Sequence, residues 1–366
     1  MKKTILLIGN TSWGMYRFRG DLVRNFVSLG HKVVVVAPED EYSIKIRELG
    51  SKFIPLDVDR KGANPFKDFL YFLRLIRVVL NERPSVVFTY TIKPILYGTI
   101  AAWLGQVPQR IAVTTGLGNA FSSDKLINFV AKFLYKVSIC FASEVWFLNS
   151  DDAEVFLNYR LVAEKKVFLL VGEGVDVDHF APVGSPGPHT FTLISRMLWD
   201  KGVGLFVEAA RELKPKYPHL NFLLVGPVDN GNPEGISSNQ LEKWNDEGWV
   251  KYLGPTDDVK GVLSLTTCLV HPTYYKEGLP RVLMEASAMG VPCITTDIPG
   301  CRDVIVDGLN GFLIPPRSSE ALVLAIKKFI ELSGERKNEL SSQGRARMIH
   351  NFSSEKINSI YLSKLS

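Results

Sequence analysis

The stretch TILLIGNTSWGMYRFRGDLVRNFVSLGHKVVVVAP, residues 4–38, decides the fold of this chain. Its two ends, TILLI at Thr4–Ile8 and VVVVA at residues 33–37, are continuous apolar runs, typical of strands buried on both faces of a parallel sheet. Between them, residues 19–29 carry apolar side chains at helical spacing and are followed by Gly30, a residue type that often ends a helix. The stretch therefore predicts a strand–helix–strand unit of a parallel α/β domain.

The same rhythm recurs along the chain, with a second helical pattern at residues 66–80. Further apolar runs in the first half are residues 86–90, 110–114, 145–148 and 167–171. Those in the second half are residues 191–195, 221–225, 250–253, 268–271, 292–296 and 311–314. Two doubly wound, Rossmann-like α/β domains are expected.

Five of the ten residues in APVGSPGPHT, residues 181–190, are Pro or Gly, which indicates a linker between compact units. We therefore predict a first domain at residues 1–180 and a second at residues 191–350. The remaining residues 351–366 are expected to form a helix that packs back on the first domain. Since such sheets bind ligands at the carboxyl ends of their strands, two domains facing each other would form a cleft.

Composition limits the class of protein. The chain has 366 residues, 46% of them hydrophobic, and a net charge of +5. Residues 1–180 hold 23 Lys and Arg against 18 Asp and Glu, so the excess lies in the first half; it is either chance or a basic face for an anionic partner. Four cysteines without CxxC spacing and six histidines without HExxH argue against a disulfide framework or a zinc site. A cytoplasmic protein is expected.

The architecture alone leaves three classes open: a sugar-nucleotide transferase or epimerase, a pyridine-nucleotide oxidoreductase, and a bilobal solute-binding protein. The oxidoreductase would need GxGxxG after a strand, whereas the first run is followed by GNTSWGMYRFRG and a later one by TTGLGNAF. The solute-binding protein would need an export signal, and the start MKKTILLIGN has too few apolar residues for one. Other motifs must therefore decide.

The most specific segment reads HPTYYKEGLPRVLMEASAMGVP, residues 271–292. Pro280 suits the first turn of a helix, so Glu277 and Gly278 are expected in the loop just before it. The backbone N–H groups of Gly278 and Leu279, together with the helix dipole, predict an anion site.

Glu277 and Glu285 form an E(x7)E pattern, which puts Glu285 about a turn and a half inside the helix. There its carboxylate could accept hydrogen bonds from a ribose diol. The alternatives are a solvated helix residue for Glu285 and a carboxylate that only stabilises the dipole for Glu277.

Two cations precede the first helix of the second domain. SRMLWDKG puts Arg196 at the end of a strand and Lys201 just before a helix, at the same sheet edge as Glu277. Two fixed cations near a helix N-terminus suit a diphosphate. The alternative is an ordinary ion pair with Asp200.

Taken together, these motifs resemble retaining glycosyltransferases of family 4, which have the GT-B fold. The matching segments of the second half are SRMLWDKG, EGLPRVLMEA, VKYLGPTDDV and GEGVDVDHF. The first-half segments YRFRGDLVRNFVSLGHKVVVVAP and TYTIKPILYGTIAAWLGQVPQRIAVTTGLGNAF resemble the subgroup that acts on undecaprenyl-diphosphate-linked sugars, including bacterial N-acetylgalactosaminyltransferases. The resemblance covers essentially the whole chain.

The resemblance implies roles for the donor residues. Arg196 and Lys201 would hold the donor diphosphate, Glu285 the ribose, and Glu277 with the amides of Gly278 and Leu279 the donor sugar. Arg196, Lys201 and Glu277 would thereby serve catalysis. No metal is implied, because no DxD motif stands at a strand end of the donor half, and no other cofactor is expected. Retention in such enzymes needs no protein nucleophile, since the leaving phosphate helps to deprotonate the acceptor.

The acceptor residues are expected in the first half: Gly14, Arg17, Arg19, Lys93, Thr115 and Gly116. Many relatives have paired glycines in the first loop and a histidine before the later glycine, whereas here Gly14 stands alone and Thr115 precedes Gly116. Arg17 and Arg19 are expected at the start of the first helix, and Arg17 and Lys93 at the acceptor diphosphate.

A membrane contact is also predicted in the first half. Lys125, Lys132 and Lys136 alternate with apolar residues, a pattern suited to an anionic membrane interface. The alternative is a solvated basic face over a core helix. The three charged residues within 130–148 exclude that stretch as a membrane span.

The sequence thus predicts a peripherally membrane-associated transferase that moves a sugar, by resemblance an N-acetylhexosamine, from a UDP-sugar to a polyprenyl-diphosphate-linked saccharide. No nucleic-acid partner is expected. The rivals are an enzyme like UDP-N-acetylglucosamine 2-epimerase and a non-catalytic sugar-nucleotide-binding protein.

Overall fold

The internal contacts of the chain divide it into two units. A computed structural model describes residues 2–59, 64–116, 125–184, 189–275 and 277–365. Unit 1 consists of Met1–Gly174 with Ser354–Ser366, and unit 2 of Val175–Ser353. The chain therefore leaves unit 1 once and returns to it near the end.

The described part of unit 1 is built on a seven-stranded parallel sheet with the order β3-β2-β1-β4-β5-β6-β7. The strands are β1 (Thr4–Ile8), β2 (Lys32–Ala37), β3 (Lys52–Pro55), β4 (Val86–Tyr90), β5 (Gln109–Thr114), β6 (Glu144–Phe147) and β7 (Val167–Leu169). The helices are α1 (Ser12–Ser28), α2 (Tyr42–Glu48), α3 (Pro65–Glu82), α4 (Thr99–Leu104), α5 (Lys125–Cys140) and α6 (Ser150–Asn158), with a π-helical turn at Pro94–Gly98 before α4.

Unit 2 repeats the plan with six parallel strands among its described residues, in the order β10-β9-β8-β11-β12-β13. The strands are β8 (Thr190–Ile194), β9 (Asn221–Val225), β10 (Lys251–Tyr252), β11 (Cys268–His271), β12 (Cys293–Thr296) and β13 (Gly311–Ile314). The helices are α7 (Val203–Leu213), α8 (Ser238–Asp246), α9 (Val259–Ser264), α10 (Arg281–Ala288), α11 (Cys301–Val304), α12 (Ser319–Glu331) and α13 (Gly334–Arg347). In each sheet the first strand of the unit is internal, with the next two strands on one side of it and the remaining strands on the other. This is the Rossmann-type strand order.

The apolar runs of the sequence lie within these strands to within one or two residues at each end, which confirms the prediction of two doubly wound α/β domains. β1, β2 and β4 are buried almost throughout because helices cover both faces of the sheet. β3 was not predicted. It is a four-residue strand at the edge of the sheet, and Lys52 and Pro55 are exposed.

The predicted start of the first helix was wrong. α1 begins at Ser12, where the side chain of Thr11 accepts a hydrogen bond from the N–H of Gly14 and caps the helix. Gly14 therefore lies in the first turn rather than in a loop. Arg17 and Arg19 lie further along the helix, about one and a half and about two turns after its cap.

The helix α14 (Ser354–Ser363) belongs to unit 1. Tyr361 is 2% exposed and packs between the rings of Phe88 and Trp146, with both ring centroids 4.9 Å away. Its hydroxyl is 3.4 Å from that of Tyr90. The last described helix thus completes the aromatic core that covers the middle of the first sheet.

The division by contacts falls at residues 174/175, ahead of the linker predicted at residues 181–190. The centre of that segment, residues 185–188, lies outside the described residues. Residues 181–184 belong to unit 2, whose residues Val177 and Phe180 accept hydrogen bonds from Arg345.

α5 carries the lysines predicted to face a membrane. Lys136 is exposed, whereas Lys132 is half-buried with its Nζ 3.3 Å from the ring centre of Tyr159. The side chain of Lys125 lies outside the described part of the chain. Within the described residues, every helix is too short or too polar to cross a bilayer.

Candidate active site

The predicted donor residues lie at the carboxyl edge of the sheet of unit 2. Arg196 follows β8 by two residues, and Lys201 ends a 3₁₀ turn at Trp199–Lys201 directly before α7. Glu277 lies in the loop between β11 and α10. Because the two strands are neighbours in a parallel sheet, these loops meet at the same edge.

Lys201, Glu277 and His271 form a buried cluster. The Nζ of Lys201 lies 2.5 Å from Oε1 of Glu277, and Nε2 of His271 lies 3.2 Å from the same oxygen. Lys201 is 6% exposed and His271 2%. The carboxylate therefore has its charge balanced by Lys201, and it does more than stabilise the helix dipole.

The cluster keeps Glu277 ionised. Burial would raise the pKa of its carboxyl, but the charge of Lys201 and the hydrogen bond with His271 outweigh burial and hold the pKa well below its ordinary value. Lys201 also lies with its Nζ 4.7 Å from the ring centre of Tyr275. The result is a fixed pair of opposite charges at the sheet edge.

Two glycines allow the loops to approach each other. Gly202 has φ +75°, and a Cβ there would lie 2.2 Å from the carbonyl oxygen of Pro272. Gly300 has φ +83°, and a Cβ there would lie 2.2 Å from the carbonyl oxygen of Gly278. Any larger residue would displace the backbone on either side of Glu277, so the site requires glycine at both positions.

Arg196 lies at the open side of the site. Its side chain is 43% exposed, and its NH1 donates to Oδ2 of Asp229 at 3.2 Å. An exposed ion pair of this length is weak, so Arg196 can exchange Asp229 for another partner at little cost in free energy. The ion pair with Asp200 considered above is not the arrangement found: Arg196 pairs with Asp229 and Lys201 with Glu277.

Glu285 lies in the second turn of α10, as the spacing predicted. It is 9% exposed, so the alternative of a solvated helix residue is excluded. Its Oε1 accepts a hydrogen bond of 2.8 Å from Nε of Arg281, one turn earlier. Gly278 and Leu279 lie in the loop that enters α10, with Pro280 as its N-cap residue.

The predicted acceptor cations of unit 1 have acidic partners. Arg19 is 6% exposed, forms an ion pair with Glu173 and lies 4.2 Å from the ring centre of Tyr90. Lys93 lies with its Nζ 2.5 Å from Oδ1 of Asp68. Arg19 is therefore buried within unit 1. The charge of Lys93 is balanced by the carboxylate of Asp68.

The other predicted acceptor residues are more accessible. Arg17 on α1 is half-buried. Thr115 and Gly116 follow β5 and are half-buried, and Gly116 has φ +123°. The following residues 117–124 lie outside the described part of the chain, and with them Gly118.

The sequence did not indicate the acidic partners of Arg196, Arg19 and Lys93, nor the imidazole partner of Glu277. His271 has no role in the sequence prediction, yet it contacts Glu277, six residues later in the chain. Asp229, Glu173 and Asp68 belong to no motif recognised in the sequence. A signal existed only for His271, since it and Glu277 are encoded in the same segment.

Two parallel sheets of Rossmann-type order, the second with a cation and carboxylate cluster at its carboxyl edge, are the architecture of the GT-B class. Residues 177–347 match the family described as "Glycosyl transferases group 1", and residues 4–149 match "Glycosyl transferase 4-like". The chain belongs to the GT4 family of glycosyltransferases.

Relatives cover nearly the whole chain. It is 32% identical over 335 residues, 87% of this chain and 86% of the other, to the Campylobacter jejuni N,N'-diacetylbacillosaminyl-diphospho-undecaprenol alpha-1,3-N-acetylgalactosaminyltransferase. It is 24% identical over 320 residues, 82% and 81% of the two chains, to the Escherichia coli UDP-Gal:alpha-D-GlcNAc-diphosphoundecaprenol alpha-1,3-galactosyltransferase.

Among solved structures, Anabaena Alr3699/HepE in complex with UDP superposes with a TM-score of 0.81 at 17% identity, covering 100% of this chain and 99% of that one. A Rickettsia africae glycosyltransferase superposes with a TM-score of 0.79 at 19% identity, covering 99% and 97%. At these identities the likeness supports the fold.

Proposed function

We propose that this protein is a retaining hexosyltransferase that moves an N-acetylhexosamine from a UDP-sugar to a polyprenyl-diphosphate-linked saccharide in bacterial glycan assembly. The observation that carries the proposal is the buried Lys201–Glu277 pair at the carboxyl edge of the second sheet, with Arg196 exposed beside it. These groups suit the donor, and the relatives with whole-length similarity indicate the acceptor class.

The donor site is suited to the charge that develops in the reaction. The bond between the anomeric carbon and the β-phosphate oxygen breaks, and negative charge accumulates on the departing UDP. Arg196 and Lys201 then stabilise the transition state more than the bound substrate, which is what accelerates the step. Glu285 and its neighbour Arg281 would hold the nucleoside, and Glu277 with the loop at Gly278 and Leu279 the sugar.

The new bond forms between the anomeric carbon and an acceptor hydroxyl, whose proton passes to the leaving diphosphate. A protein nucleophile is not part of this scheme. An alpha linkage in the product is supported by the relatives, both of which are named as alpha-1,3-transferases. Since UDP-hexoses of this type carry the sugar in alpha linkage, the configuration would be retained.

The acceptor is proposed from the two relatives, each of which is named for a saccharide linked to undecaprenyl diphosphate. Their donors differ, N-acetylgalactosamine in one name and galactose in the other. The acceptor would bind to unit 1, where Arg17, Thr115 and Gly116 are at least partly accessible. An enzyme with such an acceptor works at the surface of a membrane, which is consistent with peripheral association.

We further propose that transfer needs no metal. Arg196 and Lys201 supply positive charge at the diphosphate, which is the role that a metal ion would otherwise have. Excess EDTA should leave the rate unchanged. If EDTA abolishes activity and a divalent ion restores it, metal independence is wrong while the transferase remains.

The experiment that tests the proposal is a panel of UDP-N-acetylgalactosamine, UDP-N-acetylglucosamine and UDP-galactose, each with and without a lipid-diphosphate-linked saccharide. We expect UDP release only when the lipid acceptor is present. Release of UDP with no acceptor, together with a 2-epimer of the sugar, would support the epimerase. Binding of UDP without turnover under any condition would support a sugar-nucleotide-binding protein.

A further inference from the structure

The helix α3 exposes an apolar stripe that the described residues of unit 1 leave uncovered. Five large apolar residues on this one helix are at least 37% exposed: Phe66, Phe69, Leu70, Leu73 and Leu80. At about 100° per residue they fall within a sector of about 100° of the helix circumference. Tyr71, Leu75 and Val79 lie on the opposite side and are buried in the core. We call the five exposed residues the α3 stripe.

The acidic residues of α3 are turned away from the stripe. Asp68 is buried and paired with Lys93 at 2.5 Å. Glu82 is buried and paired with Lys32 and Lys52 at 2.9 and 2.6 Å. Both carboxylates therefore point away from the stripe and are paired with lysines from other elements.

The cations of α3 are instead exposed on the side of the stripe. Lys67, Arg74 and Arg77 are all exposed: Arg77 lies inside the apolar sector, and Arg74 and Lys67 lie about 40° and about 60° beyond one edge of it. Asp57 and Asp59, in the loop after β3, line a depression of about 440 Å³ with Lys67 and Arg74. These two acids offset part of the charge of Lys67 and Arg74, whereas Arg77 does not line the depression.

We propose that the α3 stripe is the surface by which this protein lies on an anionic phospholipid membrane. An amphipathic helix with Phe and Leu on one sector and Lys and Arg beside it binds in the interface plane, with its apolar residues below the headgroups and its cations at the phosphates. Self-association fits less well, because packing one stripe against another would bury the guanidinium of Arg77, which lies inside the apolar sector, whereas at a membrane the same side chain can extend to the lipid phosphates.

The inference agrees with the lipid-linked acceptor of the proposed function, and in that respect rests on it. It differs from the membrane contact predicted on α5, where Phe133, Leu134 and Val137 are exposed but Lys132 lies against Tyr159. The two surfaces can be separated by mutation.

The test is sedimentation of the full chain with vesicles of phosphatidylcholine and phosphatidylglycerol, and with phosphatidylcholine alone. Wild type should bind the mixed vesicles more strongly, and less so in high salt. Phe69→Ser/Leu73→Ser should weaken binding at least about tenfold, since two apolar side chains leave the interface. Arg74→Glu/Arg77→Glu should weaken vesicle binding about 20-fold or more, because each cation near the membrane surface contributes a factor of about five to the affinity.

Matched controls lie in unit 2. Leu265→Ser/Leu324→Ser removes two apolar residues that are 61% and 65% exposed, and Lys243→Glu/Lys251→Glu reverses two exposed cations. Neither should change vesicle binding. Lys132→Glu/Lys136→Glu tests α5; if it releases the protein and the α3 variants do not, the inference is overturned.

Two further measurements keep the outcomes distinct. If sedimentation velocity shows a dimer that Phe69→Ser/Leu73→Ser dissociates, and the vesicles bind nothing, the stripe is an interface between copies and the inference is wrong. UDP release is measured with a short-chain, water-soluble lipid-diphosphate saccharide. If wild type transfers sugar to this acceptor but binds no vesicles, the inference about α3 is wrong and the proposed function stands. If wild type binds vesicles through α3 but transfers sugar to no acceptor, the proposed function is wrong and the inference stands.

Discussion

Lys201 and Glu277 form an ion pair of 2.5 Å between two loops of unit 2 that lie far apart in the chain. Both side chains are largely buried, so each charge depends on the other for its stability. The pair therefore has two functions that can be separated by experiment: it holds the loops at the carboxyl edge together, and it sets the charge that a ligand meets there.

Stability tests the first function. Lys201→Met should lower the free energy of unfolding by about 3 to 5 kcal/mol, because it leaves the carboxylate of Glu277 buried without its cation. Adding Glu277→Gln should restore much of that loss. Urea unfolding of the two single variants and the double variant completes the cycle; a double variant no more stable than Lys201→Met would contradict a direct coupling.

Turnover tests the role of Arg196. Arg196→Ala should reduce it by about 2 to 4 kcal/mol, or roughly 30- to 1,000-fold, the scale of losing an electrostatic stabiliser. Folding should be unaffected, since the side chain is 43% exposed. Arg211→Ala, which removes a similarly exposed arginine paired with Glu247, is the control and should keep wild-type turnover. Turnover of folded Arg196→Ala within threefold of wild type would remove Arg196 from the mechanism.

Two glutamate-to-glutamine substitutions separate nucleotide binding from sugar transfer. Glu285→Gln should weaken UDP binding by about 1 to 2 kcal/mol, since a neutral amide accepts hydrogen bonds from ribose hydroxyls less strongly than a carboxylate. Glu277→Gln should slow transfer with UDP affinity nearly unchanged. Titration calorimetry with UDP and initial rates measure the two effects. The reverse pattern would exchange the proposed roles of the two carboxylates.

The pH dependence of stability follows from the depressed pKa of Glu277. Because the folded pKa lies below the ordinary value of 4.5, ionisation stabilises the folded state above that pH, and this contribution is lost progressively as the pH falls towards the folded pKa. The stability of wild type relative to Lys201→Met/Glu277→Gln should therefore decline between pH 6 and pH 3. Urea titrations across this range measure it; a constant difference would mean that the carboxyl titrates normally.

Much of the fold could be predicted because buried strands leave a simple signal. The continuous apolar runs located twelve of the strands, but β3 is an edge strand with exposed residues at both ends and carries no such run. The start of α1 was missed because its first turn holds Ser12 and Gly14, residue types without apolar periodicity. The cap that defines it is a hydrogen bond from a backbone N–H to Thr11.

The residues of the candidate site likewise divide into those that the sequence predicted and those that it did not. Arg196, Lys201, Glu277 and Glu285 belong to motifs with fixed spacing, and the structure brings the first three to one sheet edge. The partner of Arg196 could not be predicted, because Asp229 meets it only through the order of strands in the sheet. Pairing across non-consecutive elements is a property of topology and leaves no local pattern.

The position of Tyr361 in the aromatic core of unit 1 bears on how the chain folds as it is made. Phe88, Tyr90 and Trp146 are synthesised long before the helix that covers them. At about 5 to 20 residues per second, the ribosome needs roughly 10 to 40 seconds to pass from Gly174 to Tyr361. During that interval unit 1 exposes an unfinished aromatic surface, while unit 2 can form its own core first. Nascent chains halted before α14 should therefore bind chaperones through unit 1.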